Sequence, residues 1–166
     1  MKIYLWGLMG SGKSFIGKQL AEALGWQFLD LDAEIEASEN RSIADIFDVS
    51  GSSYFRDAEH DALLKTTHLH RAVIATGGGA PAFFDNADFM LHSGTCVWLY
   101  SPIPVIVERL WTTEHTHRPL LKGRDKLETE TLLANLLQQR QSCYRRAHYS
   151  VRSDAKDVLR TLQTLI

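Results

Sequence analysis

Cysteine is scarce in this chain of 166 residues, which contains only Cys96 and Cys143. The two lie far apart and lack the short spacing typical of a structural metal site or a disulfide framework. We therefore expect each to behave as a small buried hydrophobic residue. This scarcity also suits a reducing compartment, and a cytoplasmic location is expected.

Long apolar runs and an excess of basic residues are missing as well. No stretch reaches the roughly 18 apolar residues that a membrane-spanning helix needs, and Gly7 and Gly10 interrupt the apolar start of the chain too early for a signal peptide. The formal net charge is −2, from 18 basic and 20 acidic residues, so neither nucleic acid nor a membrane is an expected partner. Without repeats or linkers, one domain over residues 1–166 is the simplest organisation.

Short apolar runs alternate with helical patterns along the chain. The candidate strands are residues 2–6, 26–32, 72–76, 95–100 and 148–152. The candidate helices are residues 14–25, 42–47, 52–69, 102–111, 127–146 and 154–166, and the polar residues 112–125 are expected to form a loop. Strands of this length alternating with helices predict an α/β fold with a parallel sheet covered on both faces.

Glycine-rich or acidic residues lie at the carboxyl ends of three of the candidate strands. They are Gly7–Ser14, Asp30–Asp32 and Gly77–Gly79. Because ligands of such sheets bind beyond the carboxyl ends of the strands, we expect the three segments to meet in space.

The first of these segments has the spacing of a phosphate-binding loop, Gly7-x-x-x-x-Gly12-Lys13-Ser14. The glycines allow the backbone N–H groups to wrap a phosphate, and the following helix adds its positive N-terminal end. Lys13 is expected to contact the β and γ phosphates, and Ser14 to bind Mg²⁺. The loop predicts a bound nucleoside triphosphate but leaves the acceptor of its terminal phosphoryl group open.

Asp30 and Asp32 allow a structural and a catalytic interpretation, which are compatible. Aspartate suits the cap and the first turn of a helix. Next to a triphosphate, Asp30 could instead hold Mg²⁺ through water, and Asp32 could receive a hydroxyl proton from an acceptor.

Three glycines at Gly77–Gly79 exceed what a tight turn requires. Each one costs conformational entropy and adds no side-chain packing. The third glycine therefore indicates that another group approaches the backbone closely.

Two arginines lie on helix faces where a partner is needed. Arg140 shares an apolar stripe with Leu133 and Tyr144, and a buried guanidinium without an anion is unfavourable. The alternatives are an internal salt bridge, a side chain that extends to solvent, or an anion-binding arginine in a cleft. Arg56 shares a face with Glu59, which is either an ordinary surface pair or a carboxylate that orients the guanidinium.

Arg118 lies in the polar loop, within the stretch HTHRPLL. An arginine in a closing loop can contribute charge in the transition state of phosphoryl transfer. His115 and His117 are expected to be solvated loop residues, because no acidic residue accompanies them at metal-ligand spacing.

Taken in order, these motifs resemble those of the shikimate kinases over most of the chain. The stretches that carry the resemblance are GLMGSGKS, FLDLDAEIE, RSIADIF, FRDAE, TGGGAP, HRPLL and the R-x-x-x-Y of Arg140 and Tyr144. The resemblance implies a three-layer α/β/α fold of the P-loop nucleoside-kinase type, with a five-stranded parallel sheet, substrate-binding helices within residues 32–62 and a lid within residues 112–125. It also implies transfer of the γ-phosphoryl group of ATP, with Mg²⁺, to the 3-hydroxyl of shikimate, on the route to chorismate and the aromatic amino acids.

The resemblance also implies roles for individual residues. The implied catalytic residues are Lys13, Asp32 and Arg118, and the implied metal site is Ser14 and Asp30. The implied ATP contacts are Gly10, Ser11, Gly12, Lys13, Ser14, Phe15, Arg118 and Lys156. The implied shikimate contacts are Asp32, Arg56, Glu59, Gly77, Gly78, Gly79 and Arg140.

The chain departs from the family pattern at two places. Many members carry an arginine near adenine ahead of the lid, and counting back from Arg118 places Trp111 there. Many also have a proline between the residues matching Arg140 and Tyr144, where this chain has Gln141–Cys143.

Other function classes explain the motif set less well. A gluconate kinase would leave the two arginines and the triple glycine unexplained. A GTP-binding switch would need an Asn-Lys-x-Asp run, which the chain lacks, and a non-catalytic nucleotide-binding module would not need Asp30 and Asp32. A monomer is expected.

Overall fold

Five strands form the central sheet, and β1 lies in the middle of it. The strands are β1 (Lys2–Trp6), β2 (Gln27–Asp30), β3 (Ala72–Ala75), β4 (Thr95–Tyr100) and β5 (Tyr149–Arg152). Their order is β2-β3-β1-β4-β5, and every neighbouring pair is parallel. This computed structural model describes residues 1–113 and 121–166. It confirms the predicted α/β class and the five-stranded parallel sheet.

Helices connect the strands throughout the described residues. They are α1 (Lys13–Leu24), α2 (Leu31–Glu39), α3 (Ile43–Lys65), α4 (Asn86–Ser93), α5 (Ile103–Thr113), α6 (Lys126–Tyr144) and α7 (Val158–Leu165). Two short 3₁₀ turns, Thr66–His68 and Ala80–Ala82, follow α3 and precede α4.

Helix α2 confirms the interpretation of Asp30 and Asp32 as a cap and first turn, whereas α4 was not predicted from the sequence. Helix α2 begins directly after β2, where Asp30 caps it by accepting a hydrogen bond from the backbone N–H of Asp32 at 3.1 Å. The expected strand over residues 26–32 therefore ends two residues early. Helix α4 has only eight residues, too few for a clear apolar period.

The predicted helices over residues 42–47 and 52–69 are two arms of α3. Gly51 separates them with φ 80° and ψ 173°, a conformation outside the helical region. The second arm carries Arg56 and Glu59, and the Glu59 carboxylate lies against Gly77 in the loop after β3.

Alternate residues of each inner strand face opposite layers of helices. Tyr4 and Trp6 pack in one buried cluster with residues of α3, α4, α5 and α6. Ile3 and Leu5 pack in the other with residues of α1 and α7. This two-residue period produces the three-layer α/β/α arrangement.

The structure also locates the two cysteines, whereas part of the predicted lid lies outside the described residues. Cys96 is buried in the core, whereas Cys143 is only half-buried, with its Sγ donating to the carbonyl of Pro81 at 2.8 Å. Arg118, His115 and His117 lie outside the described residues, as does the middle of the predicted lid. Among the described helices, none has both the length and the apolar character required to cross a membrane.

Candidate active site

The loop between β1 and α1 has a backbone suited to glycine. Gly7, Gly10 and Gly12 have φ values of 137°, 74° and 92°, which side chains rarely adopt. At Gly7 a Cβ would also lie 2.2 Å from the carbonyl oxygen of Leu99 in β4. The loop therefore curls tightly ahead of α1 while its start remains packed against the sheet.

Lys13 is the first residue of α1 and is nearly buried. Its Nζ donates to the carbonyl oxygens of Gly7 and Leu8, each at 2.9 Å. The ammonium is therefore held across the loop that precedes its own helix. A full positive charge and the N-terminal end of α1 thus coincide, which favours a polyanion such as a triphosphate.

Ser14 and Asp30 bring two oxygen ligands together beside this loop. Ser14 Oγ donates to Asp30 Oδ2 at 2.5 Å, although the residues come from α1 and the end of β2. A hydroxyl and a carboxylate are ligands that suit Mg²⁺, which usually takes few protein oxygens and completes its shell with phosphates and water. Within the described residues no cluster of three or more His, Cys, Asp or Glu side chains could hold a metal. The donor set fits a cation held mainly by a nucleotide.

A cavity of about 910 Å³ opens in front of the loop and extends to the segment after β5. It contains most of the residues expected to contact ATP: Gly10, Gly12, Lys13, Ser14, Phe15 and Lys156. Ser11 does not line it and is fully buried within the loop. The Phe15 side chain is 68% exposed at the cavity wall. The cavity therefore joins the phosphate-binding loop to a region large enough for a nucleoside.

Arg109 of α5 also lines this cavity, although no sequence motif had indicated it. Its Nη1 donates to the hydroxyls of Ser101 and Ser153, each at 3.4 Å. Trp111, the residue found by counting back from Arg118, is not among the lining residues, and its ring centroid lies 5.9 Å from the Nζ of Lys126. The sequence did contain a signal for Arg109, because it is the only arginine in the predicted helix over residues 102–111.

A second cavity lies beside the loop that follows β3. All residues expected to bind the acceptor line it: Asp32, Arg56, Glu59, Gly77, Gly78, Gly79 and Arg140. Its apolar wall includes Met9, Ile43, Phe47 and Phe55. The structure therefore brings Asp32 and Gly77–Gly79 together, as their positions at the ends of strands predicted, and adds residues of α3 and α6.

The triple glycine makes room for charged side chains. A Cβ on Gly77 would lie 2.2 Å from Glu59 Oε1 and 3.0 Å from Asp32 Oδ1. A Cβ on Gly79 would lie 2.7 Å from Arg56 Nη1. These distances confirm that other groups approach the backbone here, and they identify two of the glycines as supports for the acceptor cavity.

Gly78 connects the acceptor cavity to the phosphate-binding loop. A Cβ there would lie 3.2 Å from the backbone nitrogen of Met9. Its carbonyl oxygen accepts a hydrogen bond of 2.5 Å from the buried hydroxyl of Tyr144. Burial raises the pKa of Tyr144 to about 12, an effect that nearby Arg140 opposes, so the phenol remains a neutral donor. Helix α6 is thereby fastened to the loop after β3.

Glu59 is completely buried and forms an ion pair with Arg56. Burial raises the pKa of Glu59 to about 7, the charge of Arg56 lowers it, and the charge of Asp32 raises it again. Its Oε2 accepts from Arg56, whereas Oε1 has no hydrogen-bond partner in the part of the chain described. The pair is therefore an internal one, whereas spacing alone favoured an ordinary surface pair.

Arg140 is half-buried and points into the same cavity. The ion pairs found within residues 1–113 and 121–166 do not include it. Its charge lowers the pKa of both Glu59 and Tyr144. Of the alternatives raised by the sequence, an arginine in a cleft fits this position best.

These contacts define a class of protein, the P-loop kinases. The phosphate-binding loop lines one cavity, and the residues expected to bind the acceptor line the other. Comparison with known proteins narrows the class, because a family model for shikimate kinase matches residues 9–165. The chain belongs to the shikimate kinase family.

Individual relatives agree with that family along nearly the whole chain. A shikimate kinase of Parabacteroides distasonis is 39% identical over 158 residues, which cover 95% of this chain and 90% of the relative. The solved shikimate kinase of Bacteroides thetaiotaomicron is 32% identical with a TM-score of 0.91, and 99% of this chain and 96% of that chain are covered. The shikimate kinase of Acinetobacter baumannii, solved in complex with shikimate, is 36% identical with a TM-score of 0.89, covering 99% of this chain and 89% of that chain. Kinases of this family use ATP with a divalent metal ion.

Proposed function

We propose that this protein transfers the γ-phosphoryl group of ATP to the 3-hydroxyl of shikimate, yielding 3-phosphoshikimate and ADP. The observation that carries the proposal is the acceptor cavity, where Arg56 and Arg140 lie with Asp32 around the triple glycine. Two guanidinium groups suit a carboxylate, and an aspartate suits a ring hydroxyl. The shikimate bound to the Acinetobacter relative supports the same acceptor.

The acceptor carboxylate is proposed to bind between Arg56 and Arg140. Glu59 fixes the Arg56 guanidinium through their ion pair, and the neutral phenol of Tyr144 fixes the Gly78 carbonyl. A gluconate kinase would also need an acceptor site, but the family model and the relatives do not favour it.

The chemical step forms a bond between the 3-oxygen of the acceptor and the γ phosphorus. The bond from that phosphorus to the β–γ bridging oxygen breaks, and both bonding electrons leave with ADP. Asp32 takes the hydroxyl proton, and Lys13 stabilises charge on the phosphates. Arg118, from the lid, is proposed to add charge in the transition state.

Ser14 and Asp30 would hold the metal ion, which we take to be Mg²⁺ because their oxygens suit a hard cation. When bound, it neutralises part of the triphosphate charge. The phosphate-binding loop, Phe15, Arg109 and Lys156 would hold the nucleotide. We further propose a single kinase domain with α2 and α3 as its substrate-binding part and residues 112–125 as its lid, acting as a cytoplasmic monomer.

The decisive experiment measures ADP release with ATP and Mg²⁺ in the presence of shikimate, gluconate, a nucleoside monophosphate or no acceptor. We expect rapid ADP release only with shikimate. Mass spectrometry of the product should show shikimate with one added phosphoryl group. Equal ADP release with and without shikimate would refute the proposal.

A further inference from the structure

Phe83 contacts the acceptor-binding machinery without lining the acceptor cavity. The guanidinium carbon of Arg56 lies 4.2 Å from the ring centroid of Phe83 and 4.9 Å from that of Phe55. Phe55 lines the cavity, whereas Phe83 does not. Phe83 is 39% exposed, so it contributes little to the core and its clearest contact is with Arg56.

The segment that carries Phe83 is fastened to α3 by further contacts. The Phe84 ring contacts the His60 ring at a tilt of 44°, with the ring centroids 5.0 Å apart. His60 Nδ1 and Asn86 Oδ1 share a hydrogen bond of 2.6 Å, and Asn86 Nδ2 donates to the Ala80 carbonyl at 2.9 Å. The two aromatic rings thus meet residues 56 and 60, which lie one turn apart on the same helix face.

The backbone of this segment is strained where the two rings diverge. Phe84 has a φ of 49°, in the left-handed region that bulky side chains rarely adopt. Such a conformation persists only when surrounding contacts hold it. Those contacts are made by buried Asn86, by the Phe84–His60 ring pair and by the Phe83–Arg56 pair. The position of the Phe83 ring is therefore closely specified.

A guanidinium has its donors in one plane, so a ring above it fixes the plane without using a donor. Glu59 already accepts from Arg56 Nη1. We propose that Phe83 is a positioning residue for the reaction: its ring holds the plane of Arg56 so that the donors not used by Glu59 face the acceptor carboxylate. This inference rests on the proposed function, because it needs an acidic acceptor.

The test compares Phe83→Leu with the parent, using Tyr149→Leu as the matched control, because Tyr149 is exposed to a similar degree (37%) and lines neither cavity. Leucine keeps an apolar cover over Arg56 but removes the aromatic face. From the usual strength of an exposed cation–π contact, Phe83→Leu should raise KM for shikimate by about two- to five-fold. We expect kcat, KM for ATP and the melting temperature to stay near the parent values. Phe83→Tyr retains a ring and should restore KM.

A neutral carboxamide analogue of shikimate separates positioning from general packing. Phe83→Leu should bind the amide as well as the parent does, because no carboxylate is then present to be aligned. An unchanged KM in Phe83→Leu would overturn the inference, as would an equal rise in Tyr149→Leu or an equal loss of affinity for the amide. Failure of the parent to phosphorylate shikimate would refute the proposed function first, and with it this inference.

Discussion

Glu59 Oε1 lies directly against Gly77, so close that a Cβ on the glycine would be 2.2 Å away. The carboxylate belongs to α3 and the glycine to the loop after β3. Because Glu59 is completely buried and paired with Arg56, it has no space to retreat without moving the guanidinium. The Arg56–Glu59 ion pair can therefore form in this position only because residue 77 has no side chain.

Gly77→Ala should displace Glu59 and with it Arg56. Losing a hydrogen bond to a charged group typically costs about 1.5–3 kcal/mol, so shikimate affinity should fall by about ten-fold or more. Nucleotide affinity should change little. Calorimetric titration with each substrate provides the measurement. Gly25→Ala is the control, because a Cβ on that glycine would have no heavy atom within 4 Å. This variant should keep its affinity for shikimate even where it loses stability. Equal shikimate affinity in Gly77→Ala and the parent would contradict this account.

Lys13→Ala and Asp32→Asn should both abolish turnover, by different routes. Lys13 lies in the phosphate-binding loop, so its removal should weaken binding of a non-hydrolysable ATP analogue. Asp32 lines the acceptor cavity, so Asp32→Asn should bind the analogue like the parent while failing to accept the hydroxyl proton. If Asp32→Asn loses nucleotide affinity as severely as Lys13→Ala, the assignment of roles is wrong.

Arg140→Lys should weaken shikimate binding by about ten-fold, since an ammonium lacks the parallel donors that bind a carboxylate through two bonds. Binding of ATP should barely change. Arg140→Ala tests the role against the carboxamide analogue of shikimate, for which it should lose much less affinity than for the acid. Equal losses would make Arg140 a structural residue. Arg145→Ala, on the exposed side next to the end of α6, is the matched control and should bind both compounds like the parent.

The pH dependence of stability should carry a contribution from Glu59. Its folded pKa is about 7, raised by burial from 4.5, so the folded protein binds more protons than the unfolded chain between these values. The free energy of unfolding should therefore fall as the pH rises through this window, by on the order of 1–3 kcal/mol. Glu59→Gln cannot titrate and should lack this decline.

Urea unfolding of both proteins from about pH 5 to about pH 8 measures that difference. Glu22→Gln, an exposed position on α1, serves as the control and should follow the parent. A stability difference between the parent and Glu59→Gln that is constant with pH would show that Glu59 does not titrate in this range.

Arg109→Ala should raise KM for ATP, because the arginine lines the nucleotide cavity. The KM for shikimate should remain near that of the parent. Trp111→Ala provides the comparison, since that side chain does not line the cavity and lies near Lys126 instead. A larger rise in KM for ATP from Trp111→Ala than from Arg109→Ala would favour the residue indicated by counting along the sequence.

Local spacing was sufficient to predict the strands, most helices and the phosphate-binding loop. Short apolar runs indicate the strands, and the spacing of apolar residues indicates the helices. The phosphate-binding loop is indicated by residues that allow its backbone conformation and supply its charge, namely Gly7, Gly12, Lys13 and Ser14. The rule that strand ends converge was also sufficient to bring Asp32 and Gly77–Gly79 together. The acidic residues Asp30 and Asp32 indicated the start of α2 but not its length, and α4 was not predicted, because both helices are short and their apolar pattern is weak.

The sequence by itself determined a phosphate-binding loop on a parallel α/β sheet and the residue types of an acidic-acceptor kinase. Only the tertiary structure decided which neighbours those residues meet. It placed Arg109 rather than Trp111 at the nucleotide cavity, made Arg56–Glu59 a buried pair, and brought Phe83 over the guanidinium. The physical reason is that such contacts join α3, α5 and the loop after β3, and their distances depend on how whole elements pack rather than on spacing along the chain.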